Sequence, residues 1–176
     1  AAVDGVPDLI AVGPDTRFQL TAQQVADAWT ATTRGVLLAS PANPTGTSIP
    51  RDELARIVEV VRARGGFTLV DEIYLGLRYD LDPGDTRAHS ALELGEDVIV
   101  TNSFSKYFSM TGWRLGWMVV PQRLAAAFAK LAQNLFICAS TPAQHAALAC
   151  FTPESLAIYE SRKREFQRRR DYLVPA

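Results

Sequence analysis

The sequence predicts an α/β domain in which three layers, α/β/α, form around a mostly parallel sheet. Short apolar segments alternate with longer segments whose apolar residues recur every three or four positions. Some apolar segments are uninterrupted, as at Val36, Leu37 and Leu38, which is typical of a parallel strand buried on both faces. Strands and helices that alternate in this way form a largely parallel sheet with right-handed crossovers.

Composition supports one globular domain and gives no sign of a charged partner. The 176 residues include 18 Lys+Arg and 19 Asp+Glu, and 48% are hydrophobic. A net charge of −1 gives no reason to expect a nucleic-acid or anionic-membrane partner. The uncharged stretch 131–153 is interrupted by polar residues, so we do not expect it to cross a membrane.

The two cysteines, Cys138 and Cys150, are too few for a disulfide framework. Both lie among apolar and small residues, where a buried thiol is the ordinary interpretation. We therefore expect a reducing, cytoplasmic location.

The first half of the chain is predicted to contain three strands with one helix between each pair. Thr21 and Gln24 form a capping-box pattern that starts the first helix. The second helix begins near Pro50 and ends at Gly65, since glycine is favoured just after a helix. The predicted bounds are 8–12 for the first strand, 21–33 for the first helix, 35–40 for the second strand, 50–64 for the second helix and 67–70 for the third strand.

The second half contains two more strands and then becomes helical. A polar stretch with glycine and proline, residues 80–86, separates the two halves and predicts a surface loop. The predicted strands are 98–101 and 115–120, and the predicted helices are 123–136, 142–150 and 153–173.

Chemically useful side chains follow the ends of several predicted strands. The carboxyl ends of parallel strands meet at one edge of a sheet, so residues distant in sequence converge there. We expect this edge to be the functional site, formed by Asn43, Asp71, Tyr74, Ser103, Ser105 and Lys106.

Taken singly, these residues also have ordinary structural explanations. Asn43 lies in an Asn-Pro-Thr-Gly segment that suits a turn. Asp71 and Glu72 suit a helix N-terminus, where carboxylates stabilise the dipole. Tyr74 could pack with its hydroxyl in water, and an isolated lysine such as Lys106 is most often solvated. The spacing of these residues along the chain is needed to distinguish a functional site from these structural explanations.

The combined spacing resembles that of fold type I, pyridoxal-phosphate-dependent aminotransferases of class I/II. That family has, in order, an Asn-Pro-x-Gly turn, an Asp-x-x-Tyr after a strand, and a Ser-x-Ser-Lys followed eight residues later by Arg. Here Asn43 precedes Asp71 by 28 residues, and Tyr74 follows Asp71 by 3. Lys106 follows Asp71 by 35, and Arg114 follows Lys106 by 8.

The resemblance extends from residue 8 to residue 173 and is strongest over 105–117, which is similar to the bacterial aspartate/aromatic branch. It implies that residues 1–176 are the central part of the large cofactor-binding domain. The N-terminal segment and the C-terminal small domain, which carries the arginine that binds the substrate α-carboxylate, would then be absent. We therefore expect the fragment to be inactive alone, and the full-length protein to be a homodimer.

The resemblance also implies catalytic roles. Lys106 would form the Schiff base with pyridoxal phosphate and, once released, move the substrate α-proton. Asp71 would keep the pyridine nitrogen protonated. Tyr74 and Asn43 would donate to the phenolic oxygen of the ring, and Ile73 would pack against the ring face, although an ordinary core role suits Ile73 equally well.

The remaining implied ligands bind the phosphate group. Arg114 would form a charge-assisted fork with it, and Ser103 would donate its hydroxyl. Ser105 is a further phosphate ligand implied by the same segment.

The activity implied is transfer of an amino group between an amino acid and a 2-oxo acid. Two alternatives stay open: a pyridoxal-phosphate-dependent C–S lyase, because the same scaffold supports β-elimination, and a non-enzymatic regulator whose aminotransferase-like domain senses the cofactor. A DNA-binding module upstream would indicate the regulator.

Basic residues near the C-terminus raise the question of nucleic-acid binding. Acidic residues share the same predicted helix, so pairing along a solvated face is the commoner outcome. Phe166 and Leu173 are expected to give this helix a buried side. His89 and His145 have no cluster of ligands at metal-binding spacing, so we expect no metal site.

Overall fold

The computed structural model describes residues 4–79 and 88–174 of the chain. The predicted surface loop 80–86 lies outside these residues. In chain order the elements are α1 (Ala22–Ala28), β1 (Gly35–Ala39), α2 (Arg51–Ala63), β2 (Phe67–Asp71), β3 (Ile99–Ser103), β4 (Gly116–Val119), α3 (Gln122–Phe136), α4 (Thr141–Leu148) and α5 (Pro153–Leu173). Short 3₁₀ turns connect several of them.

The four strands form one sheet in the order β1-β2-β3-β4. The first three strands are parallel, with Leu38 opposite Val70 and Val70 opposite Val100, and β4 is antiparallel to β3. Together with the alternating helices, this confirms an α/β class with a mostly parallel sheet.

The first hydrophobic core lies between the sheet and helices α1 and α2. Helix α2 contributes apolar side chains at helical spacing to this core, and Ile57 and Val61 are almost fully buried. The helix ends in a Schellman motif, in which the Gly66 amide donates to the Val61 carbonyl and Gly65 adopts a φ of 68°. The predicted bounds of α2 therefore agree with the structure to within two residues.

A second core forms beyond the carboxyl end of β3. It joins the segment after β3 and the residue before β4 to α4 and the turn that follows α4. Its buried members are Phe104, Met110, Leu115, Ala143, Ala147 and Cys150. This core supports the loop that carries Lys106.

The prediction of a strand at 8–12 is wrong. Leu9 is 88% exposed, and residues 5–13 adopt no strand and pair with none of the four strands described. A strand requires a hydrogen-bonded neighbour, which local sequence does not reveal. The first helix is also shorter than predicted, because Trp29 is extended and Thr30 and Thr33 bond to one another instead of continuing the helix.

Several apolar residues are more exposed than the sequence predicts. Leu37 is 71% exposed, so only the face of β1 that carries Leu38 is buried. Among the described residues, helices cover the face of β1 that carries Leu38, and nothing covers the face that carries Leu37. Cys138 is exposed whereas Cys150 is buried, and both are free thiols. Phe166 and Leu173 are exposed, so the predicted buried side of α5 does not form with them.

Candidate active site

The register of the parallel strands places their carboxyl ends side by side. Ala39 lies opposite Asp71, and Asp71 lies opposite Thr101. The chain leaves all three strands at the same edge, where the Ser40 amide donates to the Asp71 carbonyl and the Glu72 amide donates to the Thr101 carbonyl. The sequence prediction that distant residues converge at this edge is confirmed.

The turn that carries Asn43 is fixed from both sides. Within it, the Ala42 amide donates to the Thr47 carbonyl, and Gly46 adopts a φ of 69°, which only glycine adopts readily. From outside it, the buried Gln19 side chain donates to the Thr47 carbonyl at 2.6 Å. The turn is thus a rigid structural feature, and it also presents Asn43 at the sheet edge.

Tyr74 lies between Asn43 and Lys106. The Asn43 Nδ2 group is 3.5 Å from the Tyr74 hydroxyl, at the long limit of a hydrogen bond. The Lys106 Nζ atom lies over the Tyr74 ring, 5.5 Å from its centroid. The amide, phenol and amine that the sequence singled out therefore adjoin one another.

Asp71 ends β2 with an oriented carboxylate. Its Oδ1 atom accepts a hydrogen bond from the Ile73 amide at 3.0 Å, which fixes the side chain relative to its own turn. The segment after Asp71 does not continue as a helix, since only a three-residue 3₁₀ turn, Leu75–Leu77, follows. The alternative of a helix N-terminus at Asp71 and Glu72 is therefore wrong.

Hydroxyl groups cluster where β3 ends. The Ser103 hydroxyl donates to the Leu115 carbonyl at 3.1 Å and lies 2.9 Å from the Ser105 hydroxyl. The Thr111 hydroxyl donates to the Ser105 carbonyl, and Arg114 donates to the Thr111 carbonyl at 3.2 Å. Three hydroxyls and an exposed guanidinium are thus tied into one loop, a set of polar groups suited to an anionic group.

A cavity of about 650 Å³ adjoins this edge on the side of the Asn43 turn. Asn43 and Tyr74 line it, together with Arg17 and Leu77. Its position shows that space for a small molecule borders two of the residues singled out by the sequence.

Sequence reasoning assigned no role in the site to Thr111 or to the side chain of Glu72. Glu72 is only 3% exposed, and its carboxylate accepts hydrogen bonds from the Ser90 hydroxyl at 2.8 Å and the Ala91 amide at 2.6 Å. Glu72 thus fastens the segment before β3 to the end of β2, directly beside Asp71. No local pattern signals this contact, because its partners lie 18 and 19 residues away.

Burial raises the pKa of Glu72, and the neighbouring charges of Glu93 and Asp71 act in the same direction, while the bonds from Ala91 and Ser90 oppose the shift. A carboxyl whose pKa is raised by folding stabilises the fold below its unfolded pKa of about 4.5, and this contribution is lost as pH rises through the folded pKa. We expect the Glu72→Gln variant to gain stability relative to the wild type as pH rises from 4 towards neutrality.

The Glu72→Ala variant tests the hydrogen bonds separately. It leaves the Ser90 hydroxyl and the buried Ala91 amide without this acceptor and, like Glu72→Gln, it does not titrate, so it should be about 1–3 kcal/mol less stable than Glu72→Gln at every pH. Denaturant unfolding at a series of pH values measures both effects. A difference between Glu72→Gln and the wild type that stays constant with pH would show that Glu72 does not titrate as its burial requires.

The charged face of α5 pairs along the helix as the sequence predicts. Glu165 forms ion pairs with Arg168 and with Arg169.

Within residues 4–79 and 88–174, no group of three potential ligands from His, Cys, Asp and Glu is placed to hold a metal ion. In the same residues, no helix is long and apolar enough to cross a membrane.

The chain is similar to known proteins over nearly its whole length. The family model for aminotransferase class I and II matches residues 3–176. The valine–pyruvate aminotransferase of Mycobacterium tuberculosis is 47% identical over 84% of this chain and 37% of that protein. An aspartate aminotransferase of Streptomyces avermitilis is 34% identical over 97% of this chain and 41% of that protein.

Solved structures show the same likeness. A crystal structure of an aminotransferase from Mycobacterium tuberculosis has a TM-score of 0.85 and 43% identity, over 93% of this chain and 41% of that one. The aspartate aminotransferase from Rhizobium meliloti also has a TM-score of 0.85, with 34% identity over 96% of this chain and 42% of that one. The chain thus spans about two fifths of the length of these relatives.

Proposed function

Because the chain belongs to the class I and II aminotransferase family, we propose that its protein transfers an amino group between an amino acid and a 2-oxo acid, with pyridoxal 5'-phosphate as cofactor. The observation that carries the proposal is the position of Lys106 Nζ over the Tyr74 ring, at the sheet edge that also presents Asp71. The aminotransferase relatives favour transamination over the lyase and regulator alternatives.

The donor set fits the cofactor chemically. Lys106 offers an exposed amine, and no carboxylate in the described residues forms an ion pair with it. Asp71 offers a carboxylate for the pyridine nitrogen, and Tyr74 and Asn43 offer donors for the phenolic oxygen. Arg114 and the hydroxyls of Ser103 and Ser105 offer ligands for the phosphate.

Pyridoxal phosphate, when bound, supplies the electron sink that stabilises negative charge at the substrate α-carbon. Lys106 would hold it covalently through Nζ and, once free, would take and return the α-proton as general base and acid. Asp71 would keep a proton on the ring nitrogen by offering a negative charge beside it. Tyr74 and Asn43 would hold the phenolic oxygen, and their own side chains lie 3.5 Å apart.

We also propose that residues 1–176 are the central part of a large cofactor-binding domain. The relatives matched here are more than twice as long, which supports this assignment. In the longer protein, other segments would bind the substrate carboxylate, and the chain alone would not turn over.

The proposed assembly is a homodimer in the cytoplasm. Exposed apolar side chains on and after α3 supply surface for further contacts, and they include Leu131, Leu135, Phe136 and Ile137. The cytoplasmic location rests on the low cysteine content of the sequence. Sedimentation of the longer protein measures the assembly state directly.

The direct test of function is to mix the chain with pyridoxal phosphate, reduce the product with borohydride, and locate the modified residue by peptide mass. The chain has three lysines, Lys106, Lys130 and Lys163, so the sites are easily distinguished. We expect a single adduct on Lys106. Equal labelling of all three lysines would contradict the proposed site.

A further inference from the structure

Tyr107 connects the segment that carries Lys106 to the segment that carries Tyr74. It directly follows Lys106 in the chain, and its ring contacts Gly76 in the 3₁₀ turn that begins after Tyr74. A Cβ atom added at Gly76 would lie 2.8 Å from Tyr107 Cγ, so the turn and the ring are in close contact. Any shift of the Tyr107 ring therefore changes how the Lys106 and Tyr74 segments meet.

The hydroxyl of Tyr107 is held by helix α5. It donates to the Glu160 Oε1 atom at 2.6 Å, a length typical of a charge-assisted hydrogen bond. Burial raises the pKa of Tyr107, and the hydrogen bond to Glu160 raises it further, so the hydroxyl stays a donor across the physiological range. The Tyr107 ring also packs against Tyr159, with 5.5 Å between centroids.

Little else in the described residues fixes the Lys106 side chain. Lysine has a long flexible stem, and the Lys106 side chain is exposed with no ion-pair partner among described carboxylates. The position of Nζ over Tyr74 therefore depends on where the backbone of residues 105–110 is held. A second bond from α5, between Arg162 and the Ser109 hydroxyl at 3.0 Å, holds the far end of that segment.

We propose that Tyr107 and Glu160 are positioning residues, whose hydrogen bond ties the Lys106 segment to α5 and keeps Nζ over the Tyr74 ring. Neither residue is assigned a chemical step. The meaning of this position for catalysis rests on the proposed function, but the position itself can be measured without cofactor. Glu160 and Tyr107 are 53 residues apart, so the contact couples α5 directly to the site.

The test measures where Lys106 lies in the cofactor-free chain. Reductive methylation with ¹³C-formaldehyde gives each lysine a methyl signal in NMR spectra, and Lys106→Ala identifies the signal of Lys106. A methyl group near the face of the Tyr74 ring is displaced upfield by the ring current, and Tyr74→Leu gives the undisplaced reference. We expect a displaced signal in the wild type and loss of the displacement in Tyr107→Phe and Glu160→Ala.

Two further variants separate positioning from general damage to the fold. Glu160→Gln keeps an oxygen that accepts from the Tyr107 hydroxyl, so it should retain most of the displacement. Glu165→Gln removes a carboxylate that pairs only within α5, and it should leave the signal unchanged. Thermal unfolding midpoints of all variants show whether each remains folded.

The same variants should affect the reaction with pyridoxal phosphate. We expect the rate of adduct formation on Lys106 to fall about tenfold in Tyr107→Phe and in Glu160→Ala. The double variant should show no further decrease, because each single change already removes the same hydrogen bond between Tyr107 and Glu160. An upfield displacement that persists in Tyr107→Phe and Glu160→Ala, or that is missing in the wild type, would overturn the positioning role. A wild type that keeps the displacement but forms no adduct at Lys106 would support the positioning role and contradict only the proposed function.

Discussion

Replacing Lys106 with alanine is expected to abolish covalent attachment of pyridoxal phosphate while leaving the fold largely intact. The amine is the group that can bond to the cofactor aldehyde, and the other two lysines belong to helices, Lys130 to α3 and Lys163 to α5. Lys106 is exposed, so its truncation removes little packing. Borohydride reduction followed by peptide mass mapping measures the loss, and circular dichroism checks the fold.

The matched control is Lys130→Ala, which removes an exposed lysine from α3. Since Lys130 belongs to α3, which carries none of the predicted site residues, this variant should form the adduct on Lys106 at the wild-type rate. An unchanged yield of covalent adduct in Lys106→Ala would place the nucleophile elsewhere and remove the main support for the proposed function.

Replacing Asp71 with asparagine should slow exchange of the substrate α-proton by several orders of magnitude in the longer enzyme, while the covalent adduct on Lys106 still forms. Asparagine has nearly the same shape and can still accept from the Ile73 amide, so the turn is preserved. It carries no negative charge, so it does not hold a proton on the ring nitrogen, and stabilisation of charge at the α-carbon is lost.

Deuterium exchange at the substrate α-carbon, followed by NMR, measures this effect separately from cofactor binding. Asp27→Asn is the control, because Asp27 is an exposed residue of α1 whose carboxylate, among the described residues, bonds only to Gln23 of the same helix. If Asp71→Asn exchanges the α-proton as fast as the control, Asp71 has no part in the chemistry.

Local sequence was sufficient wherever a strong pattern recurred within a few residues. The apolar spacing from Leu54 to Val61 predicted α2, and the capping box from Thr21 to Gln24 forms as expected. The helix predicted at 153–173 forms as α5, and the Thr152 hydroxyl caps it by accepting from the Ser155 amide. These features depend on neighbours in the chain, so the sequence alone determines them.

The sequence also predicted this sheet edge as the candidate site, because the rule that parallel strands end together needs only their order. The same rule predicted that Asn43, Tyr74 and Lys106 converge at this edge, and the structure places them side by side. The roles of Asp71, Ser103, Ser105 and Arg114 as cofactor ligands stay predictions, and Asp71→Asn tests the first of them.

Tertiary structure alone decided the contacts between distant residues. An apolar segment at 8–12 forms no strand because no described strand pairs with it, and Leu37 is exposed because no described element covers its face. The bonds of Glu72 to Ser90 and of Tyr107 to Glu160 join residues 18 and 53 positions apart. Apolar periodicity and turn-forming residues depend only on neighbours in the chain. Burial and long-range hydrogen bonds depend on which surfaces the fold brings together.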